Sequence, residues 1–309
     1  MAFGAPVTPT LIDTDPGIDD ALALLLAWGS PEISVLALTT VAGNVPVAQA
    51  SLNARRLCAL RRPRPWPMIA EGAAAPLARP LRTAIDYHGH DGLGDVGDWP
   101  EPLPSPSPGA AVEVLTDVAR RYGEQLTIVA LGPLTNLAQA LERDAGALRR
   151  VGRIVVMGGA VAVPGNVTAD AEFNIFVDPD AARVVFEAGL ALELVPLDAT
   201  RQAMLSRTEL DTCLAAYPGP FADRIRAFTA RGFLERGPGG GHGMTLHDPL
   251  AVGAAIDPTL VAWEPLRLAI GNGGQTRPVP GDANCRVAMR VDRARFIELF
   301  LGRCCPREA

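Results

Sequence analysis

The stretch LIDTDPGIDDALALLLA, residues 11–27, decides how the chain folds. Its first residues suit a buried strand, Pro16-Gly17 makes a tight turn, and the run from Ile18 onward reads as an apolar helix. A strand that turns straight into a helix opens a strand–helix–strand unit, and ligands of such sheets bind beyond the carboxyl ends of the strands. Asp15 stands at that end, with Asp19 and Asp20 in the first turn of the helix. Period-two alternation puts Asp13 on the same side as Asp15, so four carboxylates are expected to converge within eight residues. Capping a helix needs only one acid. Four in one place repel one another and call for a cation. Hard oxygen donors select Ca²⁺ or Mg²⁺, and a mixture of carboxylates and carbonyls tilts towards Ca²⁺, which takes more ligands in looser geometry.

Outward from this segment, short β-branched runs at residues 11–14, 33–39, 126–130, 154–157 and 192–196 alternate with helix-period segments at 18–28, 46–60, 110–122, 134–141 and 179–187. That alternation predicts an α/β protein: a single domain over residues 1–309, built on an open, mostly parallel sheet flanked by helices. Two stretches rich in Pro and Gly, 61–108 and 231–245, are expected to be loops over the strand ends and the site. With 48% hydrophobic residues the chain can bury a core, and a net charge of -6 argues against nucleic acid or anionic membranes as partners. The five cysteines have no metal-ligand spacing and end in a vicinal pair, which suits a reducing cytoplasm. No signal peptide and no apolar run of membrane-spanning length is expected.

Further polar segments recur along the chain: TTVAGN (39–44), HGHDGLG (88–94), LGPLTNLA (131–138), MGGA (157–160), GNVTADAEFNIFVDPDAA (165–182) and LHDPLAV (246–252). With DTDPGIDDALAL (13–24) and in this order, they resemble the inosine/uridine-type nucleoside hydrolase family across nearly everything from Leu11 to Cys304. The resemblance implies a Rossmann-like core in the nucleoside hydrolase fold. It also implies a ribonucleoside N-glycosidase of nucleoside salvage that uses water to split the C1'–N bond into ribose and free base. A homodimer or homotetramer with one Ca²⁺ per subunit is implied as well. Carried over residue by residue, Asp15 would be a metal ligand and the general base towards a calcium-bound water, and Asp20 a bidentate ligand. The Leu131 carbonyl and the Asp248 carboxylate would complete the protein's share. Asp19, Asn44 and Asn174 would hold the ribose 2'- and 3'-hydroxyls, and Asn166 and Glu172 the 5'-hydroxyl. His247 would protonate the leaving base, His88 would lie beside that base, and Asp13 would support the metal ligands.

The chemistry suits these residue types. Glycosidic cleavage builds positive charge on the sugar, which clustered carboxylates stabilise, while Ca²⁺ acidifies water too weakly to dispense with a carboxylate base. Blander readings exist for several residues. His247 suits a helix entry, Asn166, Glu172 and Asn174 a hydrogen-bonded loop, and His90 and Asp91 loop geometry. Asp178 before Pro179 reads as an N-cap, and His242 in the glycine run as an exposed side chain. Phe173, Phe228 and Phe233 are candidates for a nucleobase pocket, with core packing the better reading of Phe173. The glycine-rich, tyrosine-poor segment before LHDP leaves the base preference open. A magnesium-dependent aspartyl phosphohydrolase would use Asp13 and Asp15 as nucleophile and acid but needs a phosphate-binding lysine, and the chain has none. A non-catalytic ribose- or Ca²⁺-binding protein would have no use for Asp15 and His247 together.

Overall fold

Strand β1 (Thr8–Thr14) runs through Asp15-Pro16-Gly17 into helix α1 (Ile18–Trp28). The computed structural model describes residues 7–234 and 243–304. Every α1 residue from Ile18 to Ala27 is buried, so this helix is enclosed by protein and needs no polar face. The chain continues through β2 (Ile33–Thr40), α2 (Val47–Arg61), β3 (Met68–Glu71), α3 (Ile85–His88), α4 (Ala111–Tyr122), β4 (Thr127–Ala130), α5 (Thr135–Arg149) and β5 (Arg153–Met157). Then come α6 (Phe173–Val177), α7 (Pro179–Glu187), β6 (Leu192–Val195), α8 (Leu197–Thr200), β7 (Met204–Ser206), α9 (Arg207–Ala215) and α10 (Pro220–Thr229). The last part holds β8 (Gly243–Thr245), α11 (His247–Ile256), β9 (Val261–Leu266), β10 (Leu268–Ile270), β11 (Thr276–Pro278), β12 (Cys285–Val291) and α12 (Arg293–Cys304).

Eight strands form one sheet in the order β3-β2-β1-β4-β5-β6-β12-β9. All neighbours are parallel except β9 and β12, so the mostly parallel α/β sheet is as expected. Leu11 and Ile12 point to opposite faces and belong to two separate buried cores, one on each side of the sheet. From β1 the chain steps outward to β2 and β3, then returns to β4 on the other flank of β1. The carboxyl ends of β1 and β4 therefore border the point where the winding reverses, where open α/β sheets bind ligands. Asp15 follows β1 there and Leu131 follows β4, tied back by Leu131 N donating to Asp13 O at 2.7 Å.

The structure corrects several sequence expectations. Residues 61–108 are not all loop, because β3 pairs with β2 at the sheet edge and α3 carries Tyr87 and His88. Helix α5 runs on to Arg149, beyond 141, through a kink at Asp144 (φ -155°, ψ 78°), whose carboxylate caps the second piece by accepting from Ala147 N. Strands β12 and β9 extend the sheet past β6. In the segment 231–245, β8 pairs with β7, while residues 235–242, including His242, lie outside the described residues. Asp178 is the expected N-cap, accepting from Ala181 N at 3.0 Å. No helix among the described residues is long and apolar enough to cross a membrane.

Candidate active site

Four acids gather beyond the ends of β1 and β4. Asp20, in the first turn of α1, accepts from Gly17 N and Asn44 Nδ2, each at 3.0 Å, and from Thr14 Oγ1 at 2.5 Å. Helix α11 packs on α1, which brings Asp248, in its own first turn, against Asp19 and Asp20. One carboxylate oxygen from each of these three lies within 4.8 Å of the other two. Asp15 is fully buried behind them, its Oδ2 accepting from Asn44 N at 2.6 Å and its Oδ1 without a hydrogen-bond partner among the described residues. A Cβ on Gly43 would overlap Asp15 Oδ2, and one on Gly132 would lie 2.5 Å from Oδ1, so two glycines leave the room this carboxylate occupies.

Burial pushes all four carboxyls up, helped by their mutual repulsion at Asp15, Asp19 and Asp248. Asp15 and Asp248 rise well above the ordinary carboxylate range, and Asp19 reaches about 7. The charges acting on Asp248 are those of Asp19, Asp20 and Asp15. A crowded set of hard oxygens, one of them orphaned and none relieved by a neighbouring lysine, fits a divalent cation such as Ca²⁺.

Asp13 does not join this group. Its Oδ1 accepts from Thr39 Oγ1 at 2.5 Å and Asn136 Nδ2 at 2.8 Å, and burial lifts it to about 7 against those two bonds. The four expected acids thus converge with one exchange, Asp248 for Asp13. The tightest trio also contains Asp19, whereas the metal set implied by the family resemblance has Asp15 in its place.

A cavity of about 220 Å³ opens beside the acids, lined by Asp19 and Asp248 but not by Asp15 or Asp20. Asn44, His88, Leu131, Asn166, Glu172, Asn174 and His247 also face it, so the substrate-binding residues inferred from the sequence do meet in one place. Glu172 is a helix N-cap as well, both oxygens accepting amides, from Asn174, Ile175 and Gly159. Asn174 Nδ2 donates to the Leu131 carbonyl at 2.6 Å, which ties the loop after β4 to α6. Asn166 is exposed at the rim, its Oδ1 accepting from Phe173 N at 3.0 Å.

The two histidines sit in different surroundings. His247 Nδ1 lies 2.8 Å from Thr200 Oγ1, and burial together with Arg201 lowers the ring to about 4. His88 Nδ1 accepts from Ile18 N at 3.0 Å, and burial, His247 and Arg231 lower it to about 3. Of the aromatic candidates, Phe173 lines the cavity instead of packing in the core, while Phe228 is buried against Trp99. Phe233 is buried under Arg207. Tyr87, Met157 and Val167 also line the cavity and escape sequence reasoning. Asn136, which holds Asp13, was signalled only as the Asn of LTN in LGPLTNLA. As expected, Asp91 serves its loop, accepting from Leu93 N and Asp95 N.

Comparison with known proteins gives a consistent result. The model of the inosine-uridine preferring nucleoside hydrolase family matches residues 10–298. The chain is 40% identical over 258 residues to Uridine nucleosidase 1 of Arabidopsis thaliana, covering 82% of this chain and 75% of that protein. It is 39% identical over 308 residues to the pyrimidine-specific ribonucleoside hydrolase RihA of Enterobacter sp. (strain 638), covering 96% and 97%. Among solved structures, a purine-preferring ribonucleoside hydrolase from Gardnerella vaginalis matches with a TM-score of 0.90 at 31% identity, covering 96% of this chain and 98% of that one.

Proposed function

The chain belongs to the inosine-uridine preferring nucleoside hydrolase family and hydrolyses ribonucleosides to ribose and free base; from this we propose how its own residues divide the work. The observation that carries the proposal is the buried Oδ1 of Asp15, without a hydrogen-bond partner among the described residues, behind the convergent Asp19, Asp20 and Asp248. Asp15, Asp20, Asp248 and the Leu131 carbonyl would hold one Ca²⁺ per subunit, and Asp19, which faces the cavity, would be left for the ribose. When bound, the ion supplies Lewis acidity towards water and the vicinal hydroxyls and returns the crowded carboxyls to their charged form.

Asp15 takes the proton of the attacking water at Oδ1, while the Asn44 amide keeps Oδ2 in place. Asp19, Asn44 and Asn174 orient the 2'- and 3'-hydroxyls, and Asn166 with the remaining lone pairs of Glu172 orients the 5'-hydroxyl. The surrounding negative charge favours the cationic sugar of the transition state over the neutral substrate. Asp13 holds β1 in register with Thr39 and Asn136 behind the site. His247 is the acid towards the departing base: the ring, lowered to about 4 without ligand, takes up a proton from solvent as negative charge grows on the base and passes it to the base as the C1'–N bond breaks, returning to its neutral form.

The substrate is a small-molecule ribonucleoside, and uridine is the first to try because two of the relatives are named for uridine or pyrimidines. The structural relative named for purines makes inosine the necessary second. We further propose one domain per chain and assembly as a homodimer or homotetramer, which light scattering after gel filtration measures. Absence of hydrolysis of uridine and inosine by Ca²⁺-loaded protein, or full activity after removal of all divalent ions, would contradict the proposal.

A further inference from the structure

Helix α8 follows β6 at the carboxyl end of the sheet and is buried from Leu197 to Thr200. It has only four residues, yet its side chains and that of Arg201 after it tie down three other segments of the chain. The Asp198 carboxylate accepts from Val161 N at 2.9 Å and Ala162 N at 2.7 Å, in the loop after β5. Arg201 Nη2 donates at 2.9 Å to the carbonyl of Gly165, the neighbour of Asn166. Thr200, fully buried, places Oγ1 2.8 Å from Nδ1 of His247, 47 residues later. The main chain is fixed alongside: Leu246 N donates to Ala203 O, and Ala203 N to Thr200 O, each at 2.9 Å. The two imidazole nitrogens lie on different edges of the ring, so with Nδ1 turned to Thr200, Nε2 is left for the cavity that His247 lines. A hydroxyl both donates and accepts, so this contact holds whether Nδ1 carries a proton or a lone pair. It is also uncharged, and opposes release of a proton from Nε2 far less than a carboxylate at that position would.

We propose that Thr200 is a positioning residue for the hydrolysis: its hydroxyl grips Nδ1 of His247 and aims Nε2 at the departing base. This rests on the reading of His247 as the acid. The proton that reaches the base leaves Nε2 as the electron pair of the C1'–N bond moves onto the base, while Nδ1 keeps its own proton and donates it to Thr200 Oγ1. Thr200 itself gains and loses no proton. Without the hydroxyl the imidazole is free to turn about its Cβ–Cγ bond, and a ring turned elsewhere still fills the space but delivers no proton. Ribose and cation are held by other residues, so substrate binding is spared. The effect is confined to leaving groups that need a proton. An aglycone that departs as a stable anion, such as 4-nitrophenolate, is indifferent to Thr200.

Thr200→Val keeps the shape of the side chain and removes only the hydroxyl. It is expected to lower kcat on uridine and inosine roughly 10- to 100-fold with KM little changed, and kcat on 4-nitrophenyl riboside by less than about 3-fold. Thr200→Ser, which restores the hydroxyl without the methyl, should recover most of the nucleoside activity. In a His247→Ala background Thr200→Val should add no further loss, because a residue that works through the ring then has nothing to work on. If the valine variant does not fold, Thr200→Ala against Thr200→Ser makes the same comparison. Wild-type turnover of nucleosides in Thr200→Val, equal losses on nucleoside and aryl riboside, a Thr200→Ser no better than Thr200→Val, or an undiminished loss in the His247→Ala background each overturn the positioning role. If His247→Ala alone loses both kinds of substrate equally, it is the acid role of His247 that fails, and the role of Thr200 falls with it.

Discussion

Stripping the divalent ion should leave a protein whose stability falls as pH rises. Asp19 goes from 3.8 in the unfolded chain to about 7 in the folded, metal-free protein, raised by burial and by Asp20. A folded-state pKa above the unfolded one means the native state holds a proton that the unfolded chain has already released. Its contribution is complete below 3.8 and is lost as pH climbs through about 7. At about 1.4 kcal/mol per pKa unit, Asp19 alone removes on the order of 4 kcal/mol over that span. Asp15, Asp20 and Asp248 shift in the same direction. Thermal melts in chelator from about pH 4.5 to about pH 8 should therefore show Tm dropping by roughly 10 °C or more. With excess Ca²⁺ the ion's charge would keep all four carboxylates ionised, Asp19 as a near neighbour of the residues that would hold it, and the same scan should be nearly flat and higher throughout. A Tm that holds level or rises with pH in chelator, or an identical fall with Ca²⁺ present, would refute the reasoning that links these acids to a cation.

Other perturbations separate the site from its scaffold. Gly43→Ala forces a methyl onto Asp15 Oδ2 and should lower kcat by about 100-fold or more and weaken Ca²⁺ binding in calorimetry; near-normal values would mean Asp15 tolerates displacement. Asp178→Ala removes bonds from Ala181 N, Thr135 Oγ1 and Leu77 N, and should destabilise by roughly 2–4 kcal/mol in urea melts while leaving kcat of the folded enzyme unchanged. His247→Ala should cost roughly 100-fold or more on uridine and far less on an activated aryl riboside, whose leaving group needs no proton; equal losses on both would remove His247 from the acid role.

How much of this was legible before folding depends on the range of the interactions. Helices α1 and α7 were bounded correctly because their signals are local: a Pro-Gly turn before an apolar run, and Asp178 capping a helix with Pro179 at its first position. Strand β3 has four residues inside a Pro- and Gly-rich stretch, and β9 carries Pro265 on an edge, so neither offers a long periodic pattern. In strand β12 the alternation breaks at the adjacent buried Val287 and Ala288, and Arg286 and Arg290 dilute its apolar character. The acids at 13–20 announced a cation site by crowding, yet alternation along the strand placed Asp13 in it. In the folded chain Asp13 turns to Thr39 and Asn136, and Thr14 reaches Asp20. Asp248 came only from family resemblance, since nothing local in residues 246–252 shows that α11 will lie on α1. Tyr87 and the partner of His88 depend on where the four-residue helix α3 docks, which no pattern of its own residues determines.

The central claim is that Asp15, one of the residues that would hold the cation, also takes the proton of the attacking water. Its most direct test is chromatographic quantitation of products from uridine and inosine with Ca²⁺-loaded wild type and Asp15→Asn, a variant that keeps an acceptor for the Asn44 amide. Wild type should give equimolar ribose and free base, and Asp15→Asn a kcat lower by about 100- to 10,000-fold with wild-type circular dichroism. Turnover within a few-fold of wild type in Asp15→Asn would contradict it.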